Sequence, residues 1–306
     1  MRISPKLTEK IKRIAKKEGY HPNQAAITLR TGKSKIIGLV VDTISGSFFA
    51  ALASIIESEV EKFGFKVIYC STGNKMKKGR DLIRMLYQHQ LDGYLIIPTE
   101  GMNRDIQLLM DRKKPLVLMD SYFAGTKAPY VMVNNMSGTS MGMNHLVGKG
   151  YKKIAFVCNN LKLIQMKDRI KGYRKTLEEN KIKVDDHLIC TTRFSDSKET
   201  ITSQISELIT ATKPDAIMFA ANYLGVCGLD SIRSLGLSIP NDIGVVCFDD
   251  HELFRFYNPA ITSVQQPVEE IAKTAVNMLM AQLGVIENVE LKHAQLQPTL
   301  IERYSA

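Results

Sequence analysis

The 306-residue sequence has no long uninterrupted apolar run, few prolines and glycines, and no paired cysteines. A membrane-spanning helix needs about 20 apolar residues in succession, and a secretory signal needs an apolar core near the N-terminus. Neither pattern is present, so we expect a cytoplasmic protein without membrane association. The five cysteines are widely spaced and lack a C-x-x-C pair, which argues against a disulfide framework or a zinc site.

The motifs of several large enzyme classes are also missing. The sequence contains no G-x-G-x-x-G after its first apolar run, and no G-x-x-x-x-G-K-[ST], G-x-S-x-G or H-E-x-x-H. The six histidines do not fall in pairs at metal-ligand spacing. We therefore predict that the protein is not an enzyme and has no catalytic residues, metal site or cofactor.

What is present is the composition of a soluble globular protein, with 44% apolar and 24% charged residues. The length suggests two domains, or one large domain of two lobes. Of the net charge of +10, residues 1–35 carry +8, from ten basic and two acidic side chains. Such a basic arm indicates a polyanionic partner, most often nucleic acid, and the alternative is a solvated basic helix.

The basic arm is predicted to form two helices. Ser4 can cap the first helix, Pro5 suits its first position, and Gly19 ends it. The second, shorter helix covers residues 24–30 and ends at Gly32.

From residue 36 onward, short β-branched runs alternate with amphipathic helical segments. Apolar strands separated by helices are typical of parallel sheets covered on both faces, so the predicted fold class is α/β. Weak internal similarity between residues 35–40 and 153–157 favours two similarly wound lobes. The predicted strands are residues 36–42, 66–70, 93–98, 115–119, 130–133, 153–158, 187–190, 215–220 and 243–248.

Polar and aromatic side chains follow several of these strands. Carboxylates, an arginine and amides can bind several hydroxyls at once, and aromatic faces pack on apolar C–H surfaces, which suits a sugar or another polyhydroxylated ligand. Each residue also has a simpler interpretation, because an aspartate at a strand end often caps a helix and a phenylalanine often belongs to the core. The candidates are Asp42, Ser45, Phe48, Phe49, Asp120, Arg169, Asn222, Asp249, Asp250, Gln265 and Gln266.

Motifs in order along essentially the whole chain resemble those of LacI/GalR-type transcription regulators. The run SPKLTEKIKRIAKKEGYHPNQAAITLRTGKSKIIGLV is similar to the end of their DNA-binding headpiece, their hinge and the first strand of their sensor domain. DTISGSFF, LDGYLIIP, DRIKGY and SLGLSIPNDIGVVCFDD resemble four further elements of the family. The family's helix-turn-helix pattern does not occur in this sequence, so the recognition helix is not expected in this chain.

The resemblance implies two doubly wound parallel-sheet lobes joined by three crossovers, as in periplasmic binding proteins, with a short helical arm in front. Residues 1–35 would be the headpiece remnant and hinge helix, and residues 36–306 the effector-binding domain. Lobe 1 would comprise about residues 36–134 and 267–294, and lobe 2 about residues 135–266 and 295–306. The expected partners are a small effector, operator DNA in the full-length form and a second copy of the chain in a homodimer.

The resemblance also assigns individual residues. Gly46-Ser47 replaces the family's usual Asn-Pro and Tyr223 its usual Asp, so a purine or a phosphorylated sugar stays open beside a sugar. The alternative function is a stand-alone sugar-binding protein without DNA binding. The implied effector-binding residues are Ser45, Phe48, Phe49, Asp120, Arg169, Asn222, Asp249 and Gln266, and the implied DNA-binding hinge residues are Asn23, Ala26, Leu29 and Arg30.

Overall fold

A computed structural model describes residues 4–20, 24–287, 289 and 293–306. The first part of the chain forms α1 (Pro5–Lys17), α2 (Gln24–Thr31), β1 (Ile36–Val41), α3 (Ser47–Glu61), β2 (Lys66–Ser71), α4 (Met76–Gln88), β3 (Gly93–Ile96), α5 (Asn103–Asp111), β4 (Leu116–Met119) and β5 (Tyr130–Val133). The remainder forms α6 (Asn135–Gly148), β6 (Ile154–Asn159), α7 (Ile164–Glu179), β7 (Ile189–Thr192), α8 (Lys198–Thr212), β8 (Ala216–Phe219), α9 (Asn222–Ser234), β9 (Gly244–Phe248), α10 (Glu252–Phe256), β10 (Thr262–Gln265), α11 (Val268–Gln282), β11 (Ala294–Leu296) and β12 (Thr299–Ile301).

The two predicted helices of the basic arm are α1 and α2. Ser4 caps α1, because its Oγ accepts a hydrogen bond from the backbone N–H of Leu7 at 3.3 Å. Gly19 and Gly32 follow the two helices with φ of +67°, a left-handed conformation that glycine adopts without steric cost.

The first sheet has the strand order β11-β5-β4-β3-β1-β2, and all its strands are parallel. Helices α3 and α11 cover one face, where Leu52 and Ile56 pack with Ile271 and Leu279. Helices α4 and α5 cover the other face. The inner strands β1, β3 and β4 are buried on both faces and continuously apolar, as the sequence pattern predicted, whereas the edge strand β2 is largely exposed.

The second sheet has the order β12-β10-β9-β8-β6-β7, parallel except for β12, which runs antiparallel to β10. Helices α8 and α9 cover one face, and α6 and α7 cover the other. The helices α6 and α7 pack closely at Gly172, where a Cβ atom would lie 2.6 Å from the backbone oxygen of Met136. This close contact fixes the distance between α7 and α6.

The chain passes between the two sheets three times, after β5, after β10 and between β11 and β12. The predicted fold class, α/β with two doubly wound sheets joined by three crossovers, is thus confirmed. The domain and lobe boundaries remain a prediction.

Apart from strand ends that shift by one or two residues, the observed strands differ from the sequence prediction in two respects. Residues 187–190 do not form one strand, because a 3-10 turn covers Asp186–Leu188 and β7 begins only at Ile189. Asp185 stabilises that turn by accepting a hydrogen bond from the backbone N–H of His187 at 2.9 Å. Strands β10, β11 and β12 were not predicted, since they are only three or four residues long and lack a continuous apolar run.

Candidate functional site

A cavity of about 650 Å³ lies between the carboxyl ends of the two sheets. Residues that follow β1, β3 and β4 line it from the first sheet, and residues that follow β6, β8, β9 and β10 line it from the second. Open α/β sheets bind ligands at this edge, and the volume is in the range of about 300–1,000 Å³ found for small-molecule sites. The topology therefore places one small-molecule-sized cavity between the sheets.

The structure brings all eight sequence-predicted effector residues to the wall of this cavity. Their role in binding remains a prediction, but their common location follows from the fold. These residues are Ser45, Phe48, Phe49, Asp120, Arg169, Asn222, Asp249 and Gln266.

Arg169, on α7, has a fixed guanidinium group at the back of the cavity and is only 4% exposed. Its Nε donates to Oδ1 of Asn135 at 2.8 Å, and its Nη1 donates to the carbonyl oxygen of Ala220 at 2.5 Å. Nη1 also lies 3.5 Å from Oδ2 of Asp249, and the guanidinium carbon lies 3.7 Å from the ring centroid of Phe248. Nη2 donates to no atom of the described residues, which leaves its two N–H groups for a ligand.

Asp249 and Gln266 form a hydrogen-bonded pair beside this arginine. Gln266 Nε2 donates to Oδ1 of Asp249 at 2.6 Å. Asp249 follows β9 with φ of +70°, a left-handed conformation that aspartate tolerates better than most residues. At the end of β10 the side chains alternate, so Gln265 is exposed and Gln266 is buried against the cavity.

Asp42 and Asp120 are two buried carboxyl groups on the first-sheet side of the cavity. Burial and the nearby Asp120 charge raise the pKa of Asp42 to about 6. Burial also raises the pKa of Asp120 to about 6, with a further increase from Asp249 and an opposing decrease from Arg169. Both carboxyl groups therefore change charge near pH 6.

Aromatic side chains line both sides of the cavity. The rings of Phe48 and Phe49 lie 5.2 Å apart at 75° on the first-sheet side, and those of Phe194 and Tyr223 lie 6.1 Å apart at 76° on the other. Burial raises the pKa of Tyr223 to about 12, so its hydroxyl keeps its proton at neutral pH. That hydroxyl accepts a hydrogen bond from Nδ2 of Asn159 at 3.1 Å. The cavity therefore combines apolar ring surfaces with hydrogen-bonding groups.

Two side-chain hydrogen bonds cross from the second-sheet side to the first. Asn222 Nδ2 donates to Oγ of Ser47 at 3.1 Å, and Gln165 Nε2 donates to Oδ2 of Asp120 at 3.4 Å. Because both donors lie on helices of the second half and both acceptors belong to the first, these bonds depend on the relative position of the two sheets.

Three buried oxygen atoms in the cavity wall have no hydrogen-bond partner among the described residues. They are Oδ1 of Asp42, Oε1 of Gln165 and Oε1 of Gln266. Buried polar atoms are normally hydrogen-bonded, and all three atoms are acceptors. Any molecule that satisfies these three atoms has to donate hydrogen bonds.

Sequence reasoning missed several lining residues, among them Asn74, Asn159, Gln165, Phe194 and His251. Asn159 is the last residue of β6, so the strand-end argument could have identified it. Gln165 lies in the first turn of α7 and carries no such signal, whereas Phe194 lies two residues after β7, which ends at Thr192 and not at the predicted residue 190.

Of the hinge residues implied by the resemblance, Ala26 and Arg30 are described with their side chains and do not line the cavity. Ala26 and Arg30 lie on α2 with exposed side chains, and Leu29 belongs to the same helix. Asn23 lies outside the described residues.

The described parts of the chain contain neither a metal-binding cluster nor a membrane-spanning helix. No group of three or more His, Cys, Asp or Glu side chains there is arranged to hold a metal ion. No helix within those ranges is long and apolar enough to cross a lipid bilayer.

Comparison with known proteins identifies the family. Residues 143–306, just over half of the chain, match the family described as periplasmic binding protein-like domain. The chain belongs to this family, in the form found in LacI-type transcription regulators, which confirms the resemblance seen in its motifs.

Curated relatives match over most of their length. The ribose operon repressor of Haemophilus influenzae is 29% identical over 304 residues, covering 99% of this chain and 90% of the repressor. The HTH-type transcriptional repressor PurR of Vibrio atlanticus is 27% identical, covering 96% of this chain and 88% of that protein. Among solved structures, a complex of the transcriptional regulator CelR with cellobiose has a TM-score of 0.81 at 23% identity, covering 100% of this chain and 92% of that one.

Proposed function

We propose that this protein is a transcriptional regulator whose cavity between the sheets binds a small polyhydroxylated effector, a sugar or sugar derivative, and thereby modulates operator DNA binding. The observation that carries this proposal is the convergence of Arg169, Asp120, Asp249 and Gln266 in one cavity. Such a set of charged and amide groups can bind several hydroxyls at once.

The charge of the cavity favours a neutral polyol over a phosphorylated ligand. Four carboxyl groups, those of Asp42, Asp120, Asp196 and Asp249, line the cavity against two cationic side chains, those of Arg169 and Lys198. Ionised carboxylates repel a phosphate, whereas they accept hydrogen bonds from hydroxyls. Two similar proteins agree with this class, because one is a ribose operon repressor and another was solved in complex with cellobiose.

A purine is the second candidate effector. The rings of Phe48, Phe49 and Phe194 offer faces on which a flat base could stack. Relatives named PurR are similar over 88% of their length. A ligand screen therefore has to contain purines as well as sugars.

The remaining parts of the proposal concern assembly. Lobe 1 comprises about residues 36–134 and 267–294, and lobe 2 about residues 135–266 and 295–306. The effector changes the angle between them.

The protein acts in the cytoplasm as a homodimer and catalyses no reaction. Its hinge residues Asn23, Ala26, Leu29 and Arg30 bind the operator minor groove, where an inserted leucine kinks DNA.

A thermal-shift screen of sugars, sugar phosphates and purines tests the cavity. An effector at about 100 times its Kd stabilises the native state by about 2.7 kcal/mol, which raises the Tm of a chain of this size by about 5 °C. Arg169→Lys removes the Nη2 donors, and Arg174→Lys is the matched control on the same helix, paired with the exposed Asp186. A sugar should stabilise the wild type and the control but not Arg169→Lys. Equal stabilisation of all three would refute the cavity as the site.

A second experiment tests the link to DNA. DNA fragments from the genome that the chain retains are titrated with the protein in the presence and absence of the effector. A coupling free energy of about 1–3 kcal/mol between effector binding and DNA binding changes the DNA affinity about 5- to 150-fold. Leu29→Ala should weaken binding of the same fragments. An affinity that does not respond to the effector would instead favour a stand-alone sugar-binding protein.

A further inference from the structure

A second hollow, of about 530 Å³, lies at the amino ends of the strands of the first sheet. Lys35 precedes β1, Asp92 precedes β3 and Pro115 precedes β4, and all three line it. It shares no lining residue with the cavity at the carboxyl ends. Gly32 and Lys33 also line it, immediately after α2 ends at Thr31.

The wall of this hollow is strongly basic. Five cationic side chains line it, and within the described residues none of them forms an ion pair with a carboxylate. We call this cluster the basic pocket: Lys33, Lys35, Arg112, Lys113 and Lys114.

The one carboxylate in its wall is already engaged. Asp92 Oδ1 accepts hydrogen bonds from the backbone N–H of Ser34 at 2.8 Å and from its hydroxyl at 3.0 Å. Asp92 Oδ2 accepts from the backbone N–H of Lys35 at 3.0 Å. Asp92 therefore anchors the start of β1, and its single charge leaves most of the positive charge of the basic pocket uncompensated.

Aromatic rings position two of the ammonium groups. Lys35 Nζ lies 4.1 Å from the ring centroid of Phe65, and Lys114 Nζ lies 5.7 Å from that of Tyr87. These contacts hold cations at the wall of a concave site, where low-dielectric surroundings strengthen the field that an anion experiences.

We propose that the basic pocket binds a small phosphate-bearing molecule with at least two negative charges, and that its occupancy acts on the segment that joins α2 to β1. A polyanion relieves the mutual repulsion of the five cations, which a neutral sugar does not. The volume of the hollow is that of a small-molecule site, whereas a convex DNA backbone would contact only its rim. This site is independent of the sugar site.

Titration calorimetry with pyrophosphate as the probe tests the basic pocket on the full chain. Lys33→Gln/Lys113→Gln removes two of its charges, and Lys152→Gln/Lys167→Gln removes two exposed charges from the second half of the chain as a matched control. We expect one pyrophosphate per chain, binding at least tenfold weaker in the first variant and within twofold of wild type in the control. Affinity should fall with added salt, because ion screening weakens exposed charge pairs.

Two results would overturn the proposal. One is that pyrophosphate does not bind at low salt, or that both variants weaken it equally, which would mean diffuse attraction. The other is that only duplex DNA responds to Lys33→Gln/Lys113→Gln, which would make the surface a DNA backbone contact. The thermal-shift screen with sugars is repeated on both variants. Neither variant changes a residue of the cavity between the sheets, so sugar binding should be unaffected, whatever the result with pyrophosphate.

Discussion

Asp42 and Asp120 line the same cavity, where burial first and the charge of Asp120 second raise the pKa of Asp42. Both carboxyl groups are buried, and both have a pKa of about 6, against an ordinary value of 3.8. The unliganded cavity thus holds two acids whose ionised forms are unfavourable. This arrangement costs stability at neutral pH, and it suits a ligand whose hydroxyls donate to ionised carboxylates.

Replacing Asp120 by Asn should stabilise the unliganded protein at pH 8 but not at pH 4. A pKa raised on folding means that the stability contributed by the protonated form is present below pH 3.8 and is lost as the pH rises through about 6. At 1.36 kcal/mol per unit, removing the charge should gain about 1–3 kcal/mol at pH 8. Urea denaturation at the two pH values measures the difference.

The control for that experiment is Asp81→Asn, which removes an exposed carboxylate on α4. Its effect on stability should stay within about 0.5 kcal/mol at both pH values. If Asp120→Asn destabilised the protein equally at pH 4 and pH 8, the buried charge of Asp120 would not be what lowers the stability of the wild type at pH 8.

Effector affinity should fall as the pH is lowered from 7.5 to 5. Hydroxyl donors bind the ionised carboxylates, so a protonated Asp42 or Asp120 has to lose its proton before the effector binds. The expected loss is about three- to tenfold for each group. Calorimetry in buffers of different ionisation enthalpy should show proton release at pH 6, and Asp42→Asn/Asp120→Asn should abolish it. Uptake of protons on binding would show that the effector does not bind the ionised forms of these two carboxyl groups.

Removing the hydrogen bond between Asn222 and Ser47 should weaken effector binding. This bond joins the two halves of the protein at 3.1 Å, and a net hydrogen bond of about 0.5–1.5 kcal/mol corresponds to about a 2- to 13-fold change in Kd. A double-mutant cycle with Asn222→Ala and Ser47→Ala should show that the two effects are not additive. Asn180→Ala, which breaks a bond to Asn144 elsewhere, is the control and should leave Kd unchanged.

Gly172→Ala should destabilise the protein by about 1–3 kcal/mol, because overpacking at a close helix contact forces the backbone apart. The added Cβ would lie 2.6 Å from the backbone oxygen of Met136, on the helix that also carries the Asn135 partner of Arg169. Gly148→Ala is the control, since its Cβ would meet nothing within 4 Å, and it should stabilise by about 0.5 kcal/mol. Thermal denaturation of both variants measures the contrast; equal effects would contradict the close packing of α6 and α7.

The sequence predicted the sheets better than it predicted the cavity. Continuous apolar runs such as residues 153–158 identify buried parallel strands, because burial on both faces imposes that pattern. Asp249 could be located from the FDD motif and from its place at a strand end. Phe194 lies two residues after β7, beyond the strand end predicted at residue 190. The contact of Gln165 with Asp120 could not be located, because it depends on how two sheets distant in sequence come together. The same holds for the Asn222–Ser47 bond, whose partners are 175 residues apart.

The most direct test of whether the effector binds between the sheets is calorimetry. The sugar that stabilises the protein most is titrated into wild type, Asp249→Asn and Arg174→Ala. Asp249→Asn keeps the shape of the side chain but removes the carboxylate that lies beside Arg169 and Gln266. We expect one sugar per chain, bound at least tenfold more weakly by Asp249→Asn and equally well by Arg174→Ala, because hydrogen bonds to charged groups contribute about 1.5–3 kcal/mol. Equal affinity in all three folded proteins would show that the effector does not bind between the sheets.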